Sequence, residues 1–352
     1  MRRPAAMRTG LADYDARLAG GTLSSRVPAA PIFCAMPGYR IVQRLAIDPA
    51  AERRALIAGL RATPAAIAPK YFYDGLGCAL YGAICELREY YPTRTERAIF
   101  HEFRAEIAQA IPGGGQFVDL GAGDCCKGES WLAFVAPKRY LAVDIAADAI
   151  NRALARLAPE YPEVEMVGVI TDFTAGLDLG ADLARLPTTF FYPGSSIGNF
   201  TPDEAHAFLR AIRRHCVVPG SGLLIGVDTK KDKARLDAAY DDPLGVTAAF
   251  NRNVLNHVNR VLGSDFVPDA FAHRGFYNAP AGRIEMHLEA TSAQTVMLDG
   301  TPRIYGEGER IHTENSYKYA PAEFEALLER AGFGAVRCWQ DLRGDFAVFH
   351  AA

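Results

Sequence analysis

Five short apolar runs between residues 116 and 228 constrain the fold of this chain more than any other feature. Helical patterns, for example at 146–157 and 203–214, separate most of these runs. Strands that alternate with helices along a chain predict a parallel, doubly wound sheet. The predicted strands are 117–120, 140–144, 164–170, 188–193 and 222–228. The chain is therefore predicted to have an α/β fold.

The pattern changes after Asp228, where the regular alternation stops. The elements predicted beyond this point are a helix at 235–261, strands at 283–298 and 309–318, a helix at 321–331 and, at 339–350, a closing hairpin or two edge strands that turn at Gly344. Such a break predicts a second lobe inserted into the α/β core.

Two lobes and an N-terminal extension are therefore expected. The core lobe is predicted to comprise residues 95–228 and 319–352, and a second, α+β lobe is predicted to comprise 45–94 and 229–318. Residues 1–44 are rich in Ala, Gly, Pro and Arg and show weak periodicity, so we predict a mobile extension.

Two helix starts are marked near the N-terminal end of the second lobe. Asp48 followed by Pro49 is typical of an N-cap and a first helical position. Thr93, with Glu96 three residues later, has the pattern of a capping box.

Composition narrows the function classes. The 352 residues are 49% hydrophobic and 22% charged, which predicts a packed core. A net charge of −3 argues against nucleic-acid binding. The seven cysteines form no C-x-x-C pair, and no apolar run reaches the length of a membrane span. We therefore expect a cytoplasmic protein with no metal site and neither a membrane nor a nucleic acid as a partner.

A glycine turn follows the first predicted core strand. The turn runs from Asp119 through Gly121 and Gly123, and the next predicted strand ends in Asp144, where such folds hold a ribose. A dinucleotide fingerprint requires a third glycine, but this chain has Cys126 at that position. S-adenosylmethionine carries no phosphate and needs only the shorter turn, so the sequence disfavours a dehydrogenase.

Asp172 and Phe173 follow the third predicted strand. They suit an adenine site, in which the carboxylate accepts from the exocyclic amine and the ring stacks on the base. A helix N-cap followed by a core aromatic residue explains the same pair equally well.

Four longer segments of the chain are distinctive. They are PKYFYD at 69–74, EYYPTR at 89–94, SIGNFTP at 196–202 and GVTAAFNRN at 245–253. Together with the glycine turn, they resemble the histidine-specific methyltransferases of ergothioneine biosynthesis from about Asp48 to Ala351. The resemblance implies a Rossmann-like class I methyltransferase core with a second α+β lobe that binds the substrate. It also implies N-α-trimethylation of L-histidine to hercynine, with S-adenosylmethionine as donor and S-adenosylhomocysteine as product.

The resemblance also implies roles for individual residues. The positions that hold the methyl donor match Tyr90, Gly121, Lys127, Asp144, Asp172 and Phe173. The positions that hold the substrate match Asn199 and Tyr240 at its carboxylate and amino end, Tyr73 at its amino group, Met286 as an apolar wall, and Glu314 with Ser316 at its imidazole.

The chemistry of Glu314 and Ser316 agrees with an imidazole partner. Residues two apart on a strand point to one face. A carboxylate that accepts from one ring nitrogen and a hydroxyl that donates to the other would reject apolar side chains, because polar groups would be left unpaired. A solvent-facing Glu314 is the alternative.

Other functions remain open at this point. The substrate could be another amino acid, such as tryptophan or tyrosine, or the protein could be a non-catalytic sensor of an amino acid or cofactor. The chain departs from the family at Asp124, Cys125 and Cys126 and at Tyr81. We expect the two cysteines to be packing residues rather than a redox switch, and we expect a monomer.

Overall fold

The computed structural model describes residues 32–36, 38–44 and 48–352. Its strands, in chain order, are β1 Ile32–Met36, β2 Tyr39–Gln43, β3 Ala65–Ala66, β4 Gln116–Leu120, β5 Arg139–Asp144, β6 Glu165–Ile170, β7 Thr188–Tyr192, β8 Gly222–Asp228, β9 Phe271–Asn278, β10 Arg283–Ala290, β11 Gln294–Leu298, β12 Thr301–Tyr305, β13 Arg310–Tyr317, β14 Val336–Gln340 and β15 Phe346–Ala351. Its α-helices are α1 Pro49–Arg61, α2 Gly75–Cys85, α3 Pro92–Glu102, α4 Arg104–Ala110, α5 Cys126–Val135, α6 Ala147–Glu160, α7 Pro202–His215, α8 Lys233–Tyr240, α9 Val246–Leu262 and α10 Pro321–Arg330.

The larger sheet has nine strands in the order β1-β2-β6-β5-β4-β7-β8-β15-β14. The strands from β2 to β8 pair in parallel, whereas β15 and β14 add an antiparallel edge. All five predicted core strands are present, and the predicted closing hairpin is β14 and β15. The chain moves outward from β4 to β6 and then returns to β7 on the other side of β4. Ligands bind at such a reversal, outside the carboxyl ends of the strands.

Side chains of the larger sheet alternate between two hydrophobic cores, one on each face. Val118, Leu141 and Phe190 pack on one face, whereas Phe117 and Tyr140 pack on the other. The predicted α/β core is therefore confirmed, with helices that cover both faces of the sheet.

The smaller sheet has the order β3-β13-β10-β9, and β11 and β12 form a separate ribbon. Helices α8 and α9 pack against this sheet, and α2 packs against α9. The sheet and these helices share a third hydrophobic core. The lobe boundaries at 94 and 228 stay a prediction.

Three details of this part differ from the sequence analysis. The helix predicted at 235–261 is two helices, because Pro243 interrupts the chain and Asp242 caps the new start by accepting from the backbone N–H groups of Val246 and Thr247. The strand predicted at 283–298 is likewise divided into β10 and β11. Strands β3, β9 and β12 were not predicted.

The N-terminal boundary also needs correction. Strand β2 lies within the residues predicted as an extension, yet it pairs in parallel with β6 and buries Ile41 and Val42. Five residues beside a segment rich in Ala, Gly, Pro and Arg carry too little local signal to mark a strand. Residues 1–31, 37 and 45–47 lie outside the described residues, and so does most of the predicted mobile extension.

Of the two helix starts predicted from the sequence, one is confirmed and the other is wrong. Asp48 caps α1 as predicted, accepting from the backbone N–H groups of Ala50 and Ala51. Helix α3 instead begins at Pro92, whose fixed φ suits the first helical position. The predicted capping box of Thr93 and Glu96 is therefore wrong, and Glu96 is buried with other partners. None of the helices within the described ranges combines the length and apolar character that a bilayer crossing requires.

Candidate active site

A cavity lies where residues of the smaller sheet meet the loops beyond the larger sheet. Its empty volume is about 540 Å³, including the open mouth. The residues that line it are Tyr73, Tyr81, Ile84, Tyr90, Gly194, Ser195, Ser196, Asn199, Ala239, Tyr240, Thr247, Phe250, Met286, Glu314 and Ser316. All six residues predicted for the substrate line this cavity, and so does Tyr90 from the predicted cofactor set.

Strand β13 presents Glu314 and Ser316 to the cavity. Both are buried and line the cavity, as expected for two residues on one face of a strand. Met286 of β10 pairs directly with Glu314 and is 2% exposed. A bulge follows Met286 in this pairing. An apolar side chain therefore lies beside the carboxylate.

Glu314 is a buried residue whose carboxylate faces the cavity. The side chain is 9% exposed, and no hydrogen bond to it is present within the part of the chain that the structure describes. Burial raises the pKa of Glu314 to about 7, although the charge of Lys318 opposes this shift. Burial disfavours the charged form of this carboxylate, so an N–H group of a ligand would be a favourable partner.

Ser316 and Tyr240 form a hydrogen-bonded pair in the wall of the cavity. The Tyr240 hydroxyl donates to Ser316 Oγ at 3.0 Å. Lys318 Nζ donates to both oxygens, at 2.8 Å to Ser316 and at 3.0 Å to Tyr240.

Lys318 belongs to a buried ion network that the sequence analysis missed. Its ammonium lies 2.7 Å from Asp228 Oδ2. Asp228 also accepts from the Tyr91 hydroxyl, at 2.8 Å to Oδ1, and from Lys231 Nζ at 2.6 Å. Burial opposes ionisation of Asp228, but the two ammonium groups lower its pKa. The available signals were weak: Asp228 ends a strand, and Lys318 stands two residues after Ser316.

A short 3-10 helix, Ser196–Asn199, carries Asn199 to the cavity, where its side chain is exposed. The turn before it is anchored from the larger sheet, because the backbone N–H of Asp228 donates to Ser195 Oγ at 2.9 Å. Gly198 allows close packing on β13, since a Cβ there would lie 2.8 Å from the backbone oxygen of Tyr317.

Aromatic rings surround the mouth of the cavity. Tyr73 is 44% exposed and makes edge contacts with Tyr81 and Phe250. Tyr90 makes an edge contact with Tyr240, with ring centroids 6.0 Å apart. Tyr81 therefore contributes its ring to the cavity wall.

The glycine turn lies at the carboxyl end of β4. Gly121 and Gly123 have φ values of +71° and +55°, which favour glycine. Asp144, at the end of β5, accepts from the backbone N–H groups of Gly123 and Ala146, both at 2.9 Å. A Cβ on Gly123 would meet no atom within 4 Å. Open space above this backbone and a carboxylate beside it fit the adenosine part of S-adenosylmethionine.

Asp172 and Phe173 have the features of the alternative interpretation, a helix N-cap followed by a core aromatic residue. Asp172 caps a 3-10 helix, Phe173–Ala175, by accepting from the backbone N–H of Thr174. The buried Phe173 ring contacts Tyr192 and Phe208 of the core. Its edge also lies near Gly121, since a Cβ on that glycine would be 3.8 Å from Phe173 Cζ. The pair therefore borders the glycine turn, and its adenine role stays a prediction.

Lys127 is held by Glu96, a second residue whose role the sequence analysis missed. Lys127 Nζ donates to Glu96 Oε2 at 2.7 Å, and the backbone N–H of Gly194 donates to Glu96 Oε1 at 2.6 Å. Glu96 is 2% exposed. It therefore links a predicted cofactor residue to a residue of the cavity wall.

The two cysteines of the turn differ in their surroundings. Cys125 is buried at φ +62°, and burial raises the pKa of its thiol to about 12. Cys126 begins α5 and is exposed. The thiol of Cys125 is thus protonated at neutral pH, as in a packing residue.

Similarity to known proteins agrees with this geometry. The family model described as histidine-specific methyltransferase, SAM-dependent, matches residues 52–352. The histidine N-alpha-methyltransferase of Mycolicibacterium smegmatis is 41% identical over 86% of this chain and 96% of its own length. The protein of the same name from Mycobacterium tuberculosis is 39% identical over 86% and 95%. Ergothioneine biosynthesis protein 1 of Neurospora crassa is 31% identical over 76% of this chain and 31% of its own length.

Proposed function

Because the chain belongs to the family of histidine-specific, SAM-dependent methyltransferases, we propose that it methylates the α-amine of L-histidine up to the trimethylated betaine, hercynine. The names of the bacterial relatives support this substrate, and the name of the fungal relative supports a place in ergothioneine biosynthesis, of which we propose that this reaction is the first step. The observation that carries the proposal is the cavity, in which an unpartnered carboxylate, Glu314, stands beside the hydroxyl of Ser316.

The imidazole would lie between these two side chains. Glu314 accepts from the ring N–H, Ser316 donates to the other nitrogen, and Met286 packs on the ring. A phenyl or isobutyl group would leave both polar side chains unpaired in a buried site, and this cost supplies the selectivity.

The amino-acid end would lie towards Asn199, Tyr240 and Tyr73. Asn199 and Tyr240 hold the carboxylate and the amino group, and Tyr73 faces the amino group. The α-ammonium loses its proton before attack, and near neutral pH the free amine is a minor but accessible form. The tyrosine rings favour the growing cationic head by cation–π attraction, which suits repeated methylation.

The cofactor residues would act by position. When bound, S-adenosylmethionine supplies an electrophilic methyl carbon on a sulfonium. The turn of Gly121 and Gly123 leaves room for the adenosine at Gly123, and Asp144 accepts from the ribose hydroxyls. The remaining predicted cofactor residues are Tyr90, Lys127, Asp172 and Phe173. Because methyl transfer is an in-line displacement, alignment and exclusion of water are the main contributions of the protein.

A mass-spectrometric assay tests the proposal. The purified full-length chain is incubated with S-adenosylmethionine and an equimolar mixture of the common amino acids. Histidine alone should gain up to three methyl groups. Transfer to tryptophan or tyrosine instead would overturn the roles of Glu314 and Ser316. Binding of S-adenosylhomocysteine without transfer to any amino acid would favour a sensor.

We further propose that the protein acts as a monomer in the cytoplasm. Every residue assigned above comes from one chain, so the site needs no second copy. Light scattering coupled to size exclusion should give the mass of one chain, 38.2 kDa. A dimer mass that persists on dilution would contradict this.

A further inference from the structure

Lys318 is a fully satisfied buried cation that the proposed reaction does not use directly. It is 2% exposed. An ammonium has three N–H donors and no acceptor, and the three acceptors here are Ser316 Oγ, the Tyr240 hydroxyl and Asp228 Oδ2, at 2.8, 3.0 and 2.7 Å. Each donor therefore has one partner, and the direction of each bond is fixed because the cation can only donate.

The hydrogen bonds from Lys318 and Tyr240 occupy both acceptor positions of Ser316 Oγ. A hydroxyl has one hydrogen and two lone pairs. Lys318 takes one lone pair of Ser316 Oγ, and the Tyr240 hydroxyl takes the other at 3.0 Å. Of the two hydroxyls, the phenol of Tyr240 is the stronger donor, because a phenol, with an ordinary pKa near 10, is more acidic than the alcohol of a serine. The serine hydrogen is then the only hydrogen-bonding capacity of Ser316 that remains for a molecule in the cavity.

We infer that Lys318 is a specificity-positioning residue, which holds Ser316 as a hydrogen-bond donor so that the cavity selects a ring with one N–H and one acceptor nitrogen. The inference rests on the proposed function. Ionised Glu314, two residues earlier on the same face of β13, can only accept. The two groups together therefore complement neutral imidazole and mismatch imidazolium, indole, phenol and alkyl side chains.

The ion network keeps this cation in place. Asp228 at the end of β8 pairs with Lys318 and also with Lys231, so a buried carboxylate compensates the buried ammonium. In Lys318→Met, Asp228 keeps Lys231 and the Tyr91 hydroxyl as partners. Asp228 therefore stays paired in this variant. It frees one lone pair each on Ser316 and Tyr240, so the serine hydrogen can turn to the tyrosine oxygen.

The test compares three amino acids that differ only in the ring. Histidine has both ring features. A pyrrolylalanine keeps the N–H and has C–H in place of the acceptor nitrogen, and both ring isomers are used. Thiazol-4-ylalanine keeps an acceptor nitrogen and lacks the N–H. Dissociation constants are measured by calorimetry on the full-length chain with S-adenosylhomocysteine present. A buffer near pH 9 keeps Glu314 ionised in the unchanged protein, where its pKa is about 7. Loss of the Lys318 charge raises this pKa, and the alkaline buffer leaves room for such a rise.

The ratio of the pyrrolylalanine and histidine dissociation constants reports the donor role of Ser316. In the unchanged protein it should be roughly 10 to 100, because a buried donor without an acceptor is costly. In Lys318→Met it should fall to within about threefold of one. The ratio of the thiazolylalanine and histidine dissociation constants reports the acceptor role of Glu314, and it should stay as in the unchanged protein. The matched control is Lys233→Met, an exposed lysine paired with Asp237 on α8, which should change neither ratio.

Two results would overturn the inference. One is a pyrrolylalanine ratio that stays the same in Lys318→Met, and the other is an equal fall of both ratios, which would mean that Lys318 only holds the cavity together. If Lys318→Met does not fold, Ser316→Ala is measured instead. A ratio of the pyrrolylalanine and histidine dissociation constants that falls to near one supports the donor assignment, and an unchanged ratio overturns it. Failure of the unchanged protein to bind histidine would instead contradict the proposed function.

Discussion

A buried carboxylate without a protein donor is the main feature of the site at the scale of single residues. Glu314 lies among tyrosines and an apolar methionine, and burial raises its pKa to about 7. Burial therefore disfavours the ionised form of Glu314, which a ligand N–H would stabilise. The carboxylate of Glu314 thus favours ligand binding but lowers the stability of the protein when it is ionised, and each effect can be tested.

Replacing Glu314 by Ala should weaken histidine binding selectively. A hydrogen bond to a charged group is worth about 1.5–3 kcal/mol, so the histidine dissociation constant should rise roughly 10- to 100-fold. The affinity for S-adenosylhomocysteine should change little, because Glu314 lies on the smaller sheet. Calorimetric titration with each ligand measures both. An equal loss of both affinities would mean that Glu314 is structural.

Replacing Glu314 by Gln should stabilise the ligand-free protein at alkaline pH. The folded pKa of Glu314, about 7, exceeds its ordinary value of 4.5, so the folded state binds this proton more tightly than the unfolded state. Stability from this group is therefore complete below pH 4.5 and is lost as the pH rises through 7. The variant avoids this loss, which amounts to up to about 3 kcal/mol.

Urea unfolding at pH 5 and at pH 8 measures this difference. The free energy of unfolding of the variant should exceed that of the unchanged protein mainly at pH 8. The control is Glu329→Gln at an exposed position of α10, which should follow the unchanged protein. Parallel pH dependence for Glu314→Gln and the unchanged protein would contradict the prediction.

Close packing of short elements shapes the site at the next scale. The 3-10 helix that carries Asn199 lies directly on the strand that carries Ser316. Gly198 makes this contact possible, since a Cβ there would lie 2.8 Å from a backbone oxygen and 3.2 Å from Ser316 Oγ. Neither the oxygen of a strand backbone nor a serine held by Lys318 can easily move aside.

Gly198→Ala should therefore separate the 3-10 helix from β13. Overpacking of this kind costs typically about 1–3 kcal/mol of folding free energy. Histidine affinity should fall more than S-adenosylhomocysteine affinity, because Asn199 and Ser316 both line the cavity. Thermal unfolding and calorimetric titration measure the two effects.

Gly82→Ala is the matched control for this variant. Gly82 lies within α2, and a Cβ there would meet no atom within 4 Å. Alanine is the better helix former by up to about 1 kcal/mol, so this control should be neutral or slightly stabilising. Similar losses from both substitutions would argue against a special contact at Gly198.

At the scale of the whole molecule, the two sheets carry different parts of the candidate site. The glycine turn and Asp144 belong to the larger sheet, whereas Glu314 and Ser316 belong to the smaller one. The network of Asp228, Lys318, Lys231 and Tyr91 joins the end of β8 to the residue after β13. Because its charges are buried and paired, this junction should hold the two sheets in a defined relation.

Asp144→Ala should affect the cofactor far more than the substrate. The carboxylate supports the glycine turn through Gly123 and is predicted to accept from the ribose. Its loss should weaken S-adenosylhomocysteine binding at least about tenfold. Histidine affinity without cofactor should remain within a few-fold.

The control for this change is Asp148→Ala, an exposed acid in the first turn of α6. Calorimetry with each ligand separates the two sites. Unchanged cofactor affinity in Asp144→Ala would remove this residue from the ribose site.

Patterns that repeat over a few neighbouring residues were sufficient to predict the α/β core and much of the candidate site. The core strands are continuous apolar runs, because both faces of a parallel sheet are buried. Gly121 and Gly123 stand out because the turn requires left-handed backbone. Glu314 and Ser316 share a face because side chains of a strand alternate. Each of these features depends on local geometry, which a linear chain displays directly.

The tertiary structure alone decided which distant groups meet. The pairing of β2 with β6, the contact of Glu96 with Lys127, and the ion pair of Asp228 with Lys318 join positions far apart in the chain. A lone charged residue has the same local pattern whether it is solvated or buried beside a partner. Which of the two occurs depends on desolvation and on the approach of another charge, and both arise only once the sheets have packed together.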